Sequence, residues 1–255
     1  MKGLLAAILL ALPGLAAGQR VLEFRNDFAF SAAEVNDLAA RAYGARLRTL
    51  ARAGKLDPEP ALKARLQRIA PRLIRAADHE RPGAARLQWE IHACRQCDEN
   101  ASAMAGGKLL LSAEFVHRLA LSDDELAYLL AHEMAHVLAQ HTREFASAAR
   151  YFADNGLRRD YADLRHELSE SIPLMLSMNQ LSVQQELEAD YIGFVLGAEA
   201  GFRPQAMLSL LAKLGDSSDS IFATHPSAAQ RMQQARTMLE SARRLYAEAR
   251  ARGLK

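Results

Sequence analysis

The segment that begins at Ser122 constrains the fold of this chain more strongly than any other. Ser122 and Glu125 form a capping box, the first turn is acidic, and apolar residues then recur at helical spacing. Within this predicted helix, His132 and His136 are four residues apart and therefore share one face. Leucine, valine and alanine residues surround both histidines, which is not typical of a solvated face. We therefore expect a helix that presents two imidazoles to one shared point.

Two imidazoles at this spacing can bind one metal ion, and the residue after the first of them adds a catalytic group. The pattern His132–Glu133–Met134–Ala135–His136 places the Glu133 carboxylate where it can hold a water molecule and accept its proton. A catalytic zinc ion needs a third protein ligand and one open position. The alternative at this point is a pair of solvated histidines on an amphipathic helix.

Five acidic residues downstream are candidates for the third ligand: Glu167, Glu170, Glu186, Glu188 and Asp190. Glu186 and Asp190 share one helical stripe, from which Glu188 is rotated by about 200°. The stripe continues through Gly193 and Gly197, which would let this helix approach the histidine helix closely. Glu186 is therefore the predicted ligand, and Asp190 is the predicted acceptor of a hydrogen bond from a ligand histidine. A charged helix face paired with arginine or lysine is the alternative.

The first part of the chain is predicted to contain two helices. Ser31 to Glu34 form a capping box for a helix that runs to about Ala53. A second helix is expected to begin at Asp57–Pro58 and to bend at Pro71.

A small sheet is predicted next. Leu87, Trp89 and Ile91 alternate with polar residues, which indicates a half-buried strand. Residues 100–105 and 108–111, joined by Gly106–Gly107, predict a hairpin, and everything after Ser112 is predicted to be helical. The expected fold class is α+β, mainly helical, with a small β-sheet beside the histidine helix.

The first 18 residues have the pattern of a secretory signal peptide that is removed from the mature chain. An apolar run from Gly3 to Leu12 follows Met1–Lys2, and small residues precede a cleavage site before Gln19. The run is shorter than the roughly 20 residues that a membrane-spanning helix needs, which disfavours an uncleaved anchor. We expect one domain over residues 19–255, in an exported, oxidising setting.

Charge and cysteine content exclude several classes of protein. The chain has 32 Lys+Arg against 30 Asp+Glu, which argues against a nucleic-acid partner. Two cysteines cannot build a disulfide scaffold or a four-thiolate zinc site. Cys94 and Cys97 lie between the predicted strand and the hairpin, and in an exported chain this favours a short disulfide over a redox or zinc-binding pair.

Other chemically suggestive residues have simpler interpretations. Five histidines without a clear partner on the shared face are predicted to be surface or structural residues: His79, His92, His117, His141 and His166. The Met-rich apolar segment at 172–181 is too short to span a membrane. Core packing is favoured there over a lid above the cleft or a surface that contacts a membrane or a partner.

Four segments occur in an order that is typical of one family. Residues 132–136 and 186–190 are two of them, and residues 100–107 (Asn-Ala-Ser-Ala-Met-Ala-Gly-Gly) are a third. Thr224–His225–Pro226–Ser227 with Arg231 is the fourth. Together they resemble the zinc metallopeptidase family of the heat-shock protease HtpX and the CAAX prenyl protease. The predicted leader and the lack of predicted membrane helices make the chain similar to the soluble periplasmic BepA-like branch, without that branch's tetratricopeptide domain.

The resemblance implies a gluzincin-type fold that binds one Zn²⁺ ion per chain, through His132, His136 and Glu186. It implies that Glu133 is the catalytic base and that His225 occupies the open zinc position in a latent form. Arg231 would also act at the site, either by steadying the oxyanion or by pairing with a carboxylate.

The leading functional hypothesis is a periplasmic zinc metalloendopeptidase that hydrolyses misfolded or envelope proteins in protein quality control. Its expected partners are unfolded or misfolded substrates and the outer-membrane assembly machinery, with peripheral contact to the membrane and none to nucleic acid. The alternative is a chaperone or assembly factor for outer-membrane proteins in which proteolysis is latent. A third hypothesis, a helical structural domain with a chance motif, predicts no stoichiometric zinc.

Overall fold

The computed structural model describes residues 28–97, 99–215 and 226–253. The predicted signal peptide, Thr224 and His225 lie outside these ranges. The described residues are mainly helical and contain one three-stranded sheet, which confirms the predicted α+β class.

The sheet consists of β1 (Glu90–Cys94), β2 (Ala101–Met104) and β3 (Lys108–Ser112), in the order β1-β3-β2. β2 and β3 are antiparallel, which confirms the predicted hairpin, and β1 runs parallel to β3. Gly106 and Gly107 have φ angles of 78° and 88° in the turn, a conformation that disfavours residues with a side chain. All five positions of β3 are buried. β3 is therefore the central, buried strand, and β2 lies beside it at one edge of the sheet.

β1 begins three residues later than the alternation at 87–91 predicts. Leu87 caps a short 3₁₀ turn (Ala84–Arg86), and Trp89 Nε1 donates a hydrogen bond to the Ala84 carbonyl at 2.9 Å. Leu87 and Trp89 still pack against the core. The alternating pattern thus predicted correctly which side chains face the core, although the hydrogen-bonded strand begins only at Glu90.

A disulfide joins Cys94 and Cys97 at the end of β1, with the two Cα atoms 6.1 Å apart. Cys94 is buried in a small cluster with Tyr43 and Leu110. The bond therefore closes the turn that leaves β1.

The described residues form ten α-helices, which we number in chain order: α1 Ala32–Arg52, α2 Pro60–Glu80, α3 Ala113–Arg118, α4 Asp123–Leu138, α5 His141–Ala149, α6 Tyr161–Glu170, α7 Ile172–Ser177, α8 Asn179–Glu199, α9 Gln205–Leu214 and α10 Ala228–Ala251.

The second helix begins at Pro60 rather than at Asp57–Pro58. Proline is well suited to the first helical position, because its missing N–H has no partner there in any case. The Asp57 carboxylate instead accepts a hydrogen bond from Ala93 N at 2.9 Å and is hydrogen-bonded to His92 Nδ1 at 2.8 Å. The helix then continues through Pro71 as one element.

α4 lies at the centre of the protein and packs against α8. Its residues Leu126, Leu130 and Met134 are at most 1% exposed. A helix that is apolar on nearly all sides is stable only when other elements surround it. The two histidines are therefore carried by a buried helix.

The Met-rich segment contributes to a second apolar cluster. Leu174 and Met178 are buried there with Tyr161 and Leu164, whereas Leu176 on α7 is 49% exposed. Across the described part of the chain, no helix combines the length and apolar character needed to cross a membrane.

Candidate metal centre

The position of α4 is set by its amino-terminal cap. Ser122 N donates to Glu125 Oε2 at 2.7 Å, and Ser122 Oγ accepts from Glu125 N, which completes the predicted capping box. Lys213 Nζ on α9 also donates to Glu125, at 2.8 Å. Burial would raise the pKa of Glu125, but the bonds from Lys213, Ser209 and Ser122 outweigh it and lower the pKa to about 2. A cap that is charged at neutral pH thus ties α4 to α9.

Three predicted ligands meet where α4 packs against α8. His132 Nε2 lies 3.2 Å from His136 Nε2 and 3.5 Å from Glu186 Oε2. His136 Nε2 lies 3.4 Å from Glu186 Oε1. All three side chains are largely buried, with exposed fractions between 10% and 20%.

The spacing of these atoms fits a zinc ion. Tetrahedral zinc with bonds of about 2.0–2.1 Å separates neighbouring ligand atoms by about 3.3 Å. The measured separations of 3.2 Å between the two imidazoles, 3.5 Å from His132 to Glu186 Oε2 and 3.4 Å from His136 to Glu186 Oε1 are close to that value. Two imidazole nitrogens and one carboxylate oxygen are also the donor types of catalytic zinc sites, which leave a fourth position open.

Asp190 connects this cluster to α10. Its Oδ1 atom is hydrogen-bonded to His132 Nδ1 at 3.0 Å, on the side of the ring opposite Nε2. Arg231 donates two hydrogen bonds to Asp190, from Nε at 2.6 Å and from Nη2 at 2.7 Å. Two roles were expected for Arg231, and the structure has one of them, the pairing with a carboxylate, that of Asp190.

The carboxylates of Asp190 and Glu186 favour positive charge at the His132 ring. Burial alone would lower the pKa of His132, but hydrogen bonds to Asp190 and Glu186 raise it to about 10. Burial would likewise raise the pKa of Asp190, and the bonds from Arg231 and His132 hold it below its usual value. Asp190 is thus a fixed carboxylate that orients the His132 ring and compensates positive charge on it.

His141, which was expected to be a surface or structural residue, lies directly behind His136. Its Nδ1 atom is 2.9 Å from His136 Nδ1, and its Nε2 atom is 3.4 Å from Glu188 Oε2. The side chain is only 3% exposed. Glu188, a candidate third ligand by sequence, is therefore linked to His136 through His141.

The helical periodicity of the sequence does not predict the contact between His136 and His141. In a continuous helix, His141 would be rotated by about 140° from His136. Gln140 instead has the left-handed conformation, with φ 59° and ψ 34°, so that α4 ends and α5 begins at His141. The change in chain direction brings the two rings together.

Replacing His141 with alanine is expected to weaken zinc binding by about 10–100-fold, because partners behind a ligand histidine orient its ring and set its basicity. Zinc affinity would be measured by competition with a chromophoric chelator. The visible spectrum of the Co²⁺-substituted protein would report the ligand geometry. His117→Ala removes an imidazole that is 61% exposed and pairs with Glu59, and serves as the matched control. An affinity of the His141 variant within about twofold of the control would contradict this role.

The stripe of small residues on α8 lets the two helices approach closely, as predicted. A Cβ atom at Gly193 would lie 2.8 Å from His132 N and 3.0 Å from His132 Cα. One at Gly197 would lie 2.2 Å from the ring of Tyr128. Backbone atoms of α4 cannot move aside as a side chain can, so Gly193 sets the distance between Glu186 and the histidines.

Gly193→Ala is expected to lower the free energy of unfolding by about 1–3 kcal/mol and to weaken zinc binding, because the added methyl group pushes α8 from α4. Gly44→Ala is the matched control, since a Cβ there would meet only the end of the Arg48 side chain at 3.4 Å. That control should instead gain about 0.5–1 kcal/mol from helix propensity. Urea unfolding of both variants tests this prediction. Equal free energies of unfolding for the Gly193 and Gly44 variants would show that the close approach of α8 to α4 is not required.

Glu133 is half-buried on α4, next in the chain to the predicted ligand His132. Burial would lower the pKa of Arg231, but the Asp190 carboxylate, with smaller contributions from Glu186 and Glu133, raises it. A pocket adjoins His136 and is lined by α1, the hairpin turn and α4, with Asn36, Gly106 and Gln140 among its residues. The charge of Glu133 thus acts on the same arginine as the carboxylates of Asp190 and Glu186. The predicted latent ligand His225 lies outside the described residues.

Comparison with known proteins supports this chemistry. The model of the family described as Peptidase family M48 matches residues 60–239, from the first residue of α2 into α10. The match includes both the histidine helix and α8.

Several curated proteins are similar to the chain. Mitochondrial metalloendopeptidase OMA1 is 26% identical over 75% of this chain in Saccharomyces cerevisiae and 30% identical over 69% of it in Schizosaccharomyces pombe. Beta-barrel assembly-enhancing protease of Escherichia coli is 27% identical over 74% of this chain. The chain spans 60%, 53% and 41% of the lengths of these relatives, respectively. Both mitochondrial and bacterial proteins are thus among the relatives, which does not single out the BepA-like branch.

Proposed function

Because the chain belongs to peptidase family M48, we propose that it is a zinc-dependent metalloendopeptidase that hydrolyses peptide bonds in unfolded or misfolded proteins. The observation that carries the proposal is the group formed by His132, His136 and Glu186, whose ligand atoms are 3.2–3.5 Å apart. Glu133 adjoins this group on α4.

In this proposal, His132, His136 and Glu186 would hold one zinc ion. Zinc in such a site would supply Lewis acidity for the scissile carbonyl and for the attacking water. Glu133 accepts the proton of the attacking water and returns it to the amine that leaves. Asp190, itself held by two hydrogen bonds from Arg231, keeps the His132 ring in place throughout.

We propose that substrates bind in extended form along β2. This strand is paired with β3 on one side, packs against α4, and has no second partner strand among the described residues. An extended peptide can add to such an edge through backbone hydrogen bonds, which requires little sequence selectivity. That property suits an enzyme whose substrates share an unfolded backbone rather than a common sequence.

The cellular setting is part of the same proposal. The leader-like residues 1–18 support export to the periplasm, and a Cys94–Cys97 disulfide suits an oxidising compartment. The similarity to a protein named beta-barrel assembly-enhancing protease supports a protease that acts beside the assembly of β-barrel proteins. We propose that its role there is protein quality control near the outer membrane and its assembly machinery. The same similarity favours one alternative, an assembly factor that holds its clients in this cleft while proteolysis is latent.

Hydrolysis of fluorescently labelled, unfolded casein by the purified protein tests the proposal. Activity should disappear when a chelator removes the metal and should return with about one equivalent of Zn²⁺. The His136→Ala variant should remain inactive after the same addition, because it lacks one of three ligands. Cleavage that persists after verified metal removal would contradict a metallopeptidase.

A further inference from the structure

A second group of metal-binding side chains lies at the far end of α8. Glu199 is the last residue of this helix, and Glu80 is the last residue of α2, with His79 before it. His79 Nδ1 lies 3.5 Å from Glu80 Oε1 and 3.5 Å from Glu199 Oε2, and one ligand atom from each residue lies within 4.8 Å of the others. Thirteen residues of α8, about 20 Å at the rise of a helix, separate this group from Glu186. The group is therefore distinct from the proposed catalytic centre.

The two carboxylates occupy an unfavourable electrostatic position. Glu80 and Glu199 are only 7% and 6% exposed. Each ends a helix, where the backbone carbonyls contribute about half a negative charge, and the last turn of α8 contains no basic residue. Burial raises the pKa of Glu199, and the neighbouring charge of Glu80 raises it further. The site thus concentrates negative charge that a bound cation would compensate.

Unsatisfied polar atoms in and near the group indicate that a ligand is needed. Glu199 Oε2 is buried and has no hydrogen-bond partner among the described residues, and His79 Nδ1 lies 3.5 Å from it. The Tyr191 hydroxyl on the same helix is also buried without a partner. Burial raises the pKa of Tyr191, and the negative charge of Glu80 raises it further. The Tyr191 phenol is therefore close enough to the second group to interact with its charge. Buried polar atoms without partners are rare in folded proteins and require an explanation.

We propose that His79, Glu80 and Glu199 bind a second divalent cation of the zinc type, which joins the carboxyl-terminal ends of α2 and α8. One imidazole nitrogen with two carboxylate oxygens suits Zn²⁺ better than Mg²⁺ or Ca²⁺, which prefer oxygen ligands alone. His79 is 67% exposed, so that an ion can enter from solvent without a change in the fold. Because α8 also carries Glu186 and Asp190, the second ion would stabilise the helix that supplies the catalytic centre.

Zinc stoichiometry of the full chain tests this inference independently of peptidase activity. After equilibrium dialysis against Zn²⁺ at a fixed free concentration, elemental analysis should give two equivalents for the wild type. His136→Ala should retain one equivalent, held by the second site. His136→Ala combined with Glu199→Gln should retain none. Glu240→Gln in the His136→Ala background is the matched control, because Glu240 is 67% exposed on α10 and lies outside both groups.

Thermal unfolding gives a second readout. Zn²⁺ should raise the melting temperature of His136→Ala and of the Glu240 control, and should leave that of the Glu199 double variant unchanged.

His79→Ala provides a variant with an exposed substitution, which should fold normally and should also lose the second equivalent. One equivalent in the wild type, or unchanged binding in the double variant, would overturn the inference and leave a proton shared between Glu80 and Glu199 as the explanation. A failure of hydrolysis alone would not affect this result.

Discussion

Replacing Glu133 with glutamine should lower kcat by about 10²–10⁴-fold while the bound zinc stays close to one equivalent at the catalytic centre. The amide has nearly the same shape as the carboxylate but cannot accept the proton of the attacking water. His132, His136 and Glu186 are not altered, so that their imidazole nitrogens and carboxylate oxygens, 3.2–3.5 Å apart, remain available. The peptidase assay and metal analysis should be carried out on the same preparation.

The control for this variant is Glu248→Gln, which makes the same change on an exposed face of α10. It should retain wild-type kcat and KM. Full cleavage by the Glu133 variant would exclude Glu133 as the base. If the inactive variant still rescued a cellular phenotype of the deletion strain, the assembly-factor alternative would be favoured over proteolysis.

Replacing Asp190 with asparagine should lower the free energy of unfolding by about 3–5 kcal/mol, because it leaves a buried guanidinium without its counter-ion. Arg231 is 16% exposed and Asp190 only 3%, so that water cannot replace the lost partner fully. The variant should also bind zinc about 10–100-fold more weakly, because His132 loses the carboxylate that orients its ring. Urea unfolding of the zinc-free protein separates the first effect from the second.

Asp37→Asn is the matched control, since Asp37 pairs with Arg41 on the surface and both side chains are more than 60% exposed. Exposed pairs contribute at most about 1 kcal/mol. Adding Arg231→Met to Asp190→Asn should recover part of the lost stability, because no charge is then left unpaired. A loss below about 1 kcal/mol in the single variant would show that the Asp190–Arg231 pair contributes little to the fold.

The ligand group illustrates what could be predicted from local pattern. The spacing of His132 and His136, together with the capping box at Ser122, predicted both the helix and the shared face. Gly193 and Gly197 predicted that the helix carrying Glu186 would pack closely on a neighbour, and the structure contains that contact with α4. These inferences succeeded because each depends on residues within a few helical turns of one another.

Predictions at element boundaries and of partners were less accurate. The strand predicted from residue 87 begins at Glu90, because a 3₁₀ turn and the Trp89 indole hold the preceding residues. His141 is buried against His136, which agrees with a structural residue, but its contact with a predicted ligand was not foreseen. A single left-handed residue, Gln140, accounts for that difference, and no hydrophobic periodicity encodes it.

By itself, the sequence determined the histidine helix and its cap, the hairpin with its two glycines, and the stripe of residues from Glu186 to Gly197. Short-range hydrogen bonds and side-chain periodicity decide such features. Only the tertiary structure decided that Arg231 pairs with Asp190 and that His79, Glu80 and Glu199 meet at two helix ends. These contacts join elements that are far apart in the chain, and their geometry depends on how buried helices pack against one another.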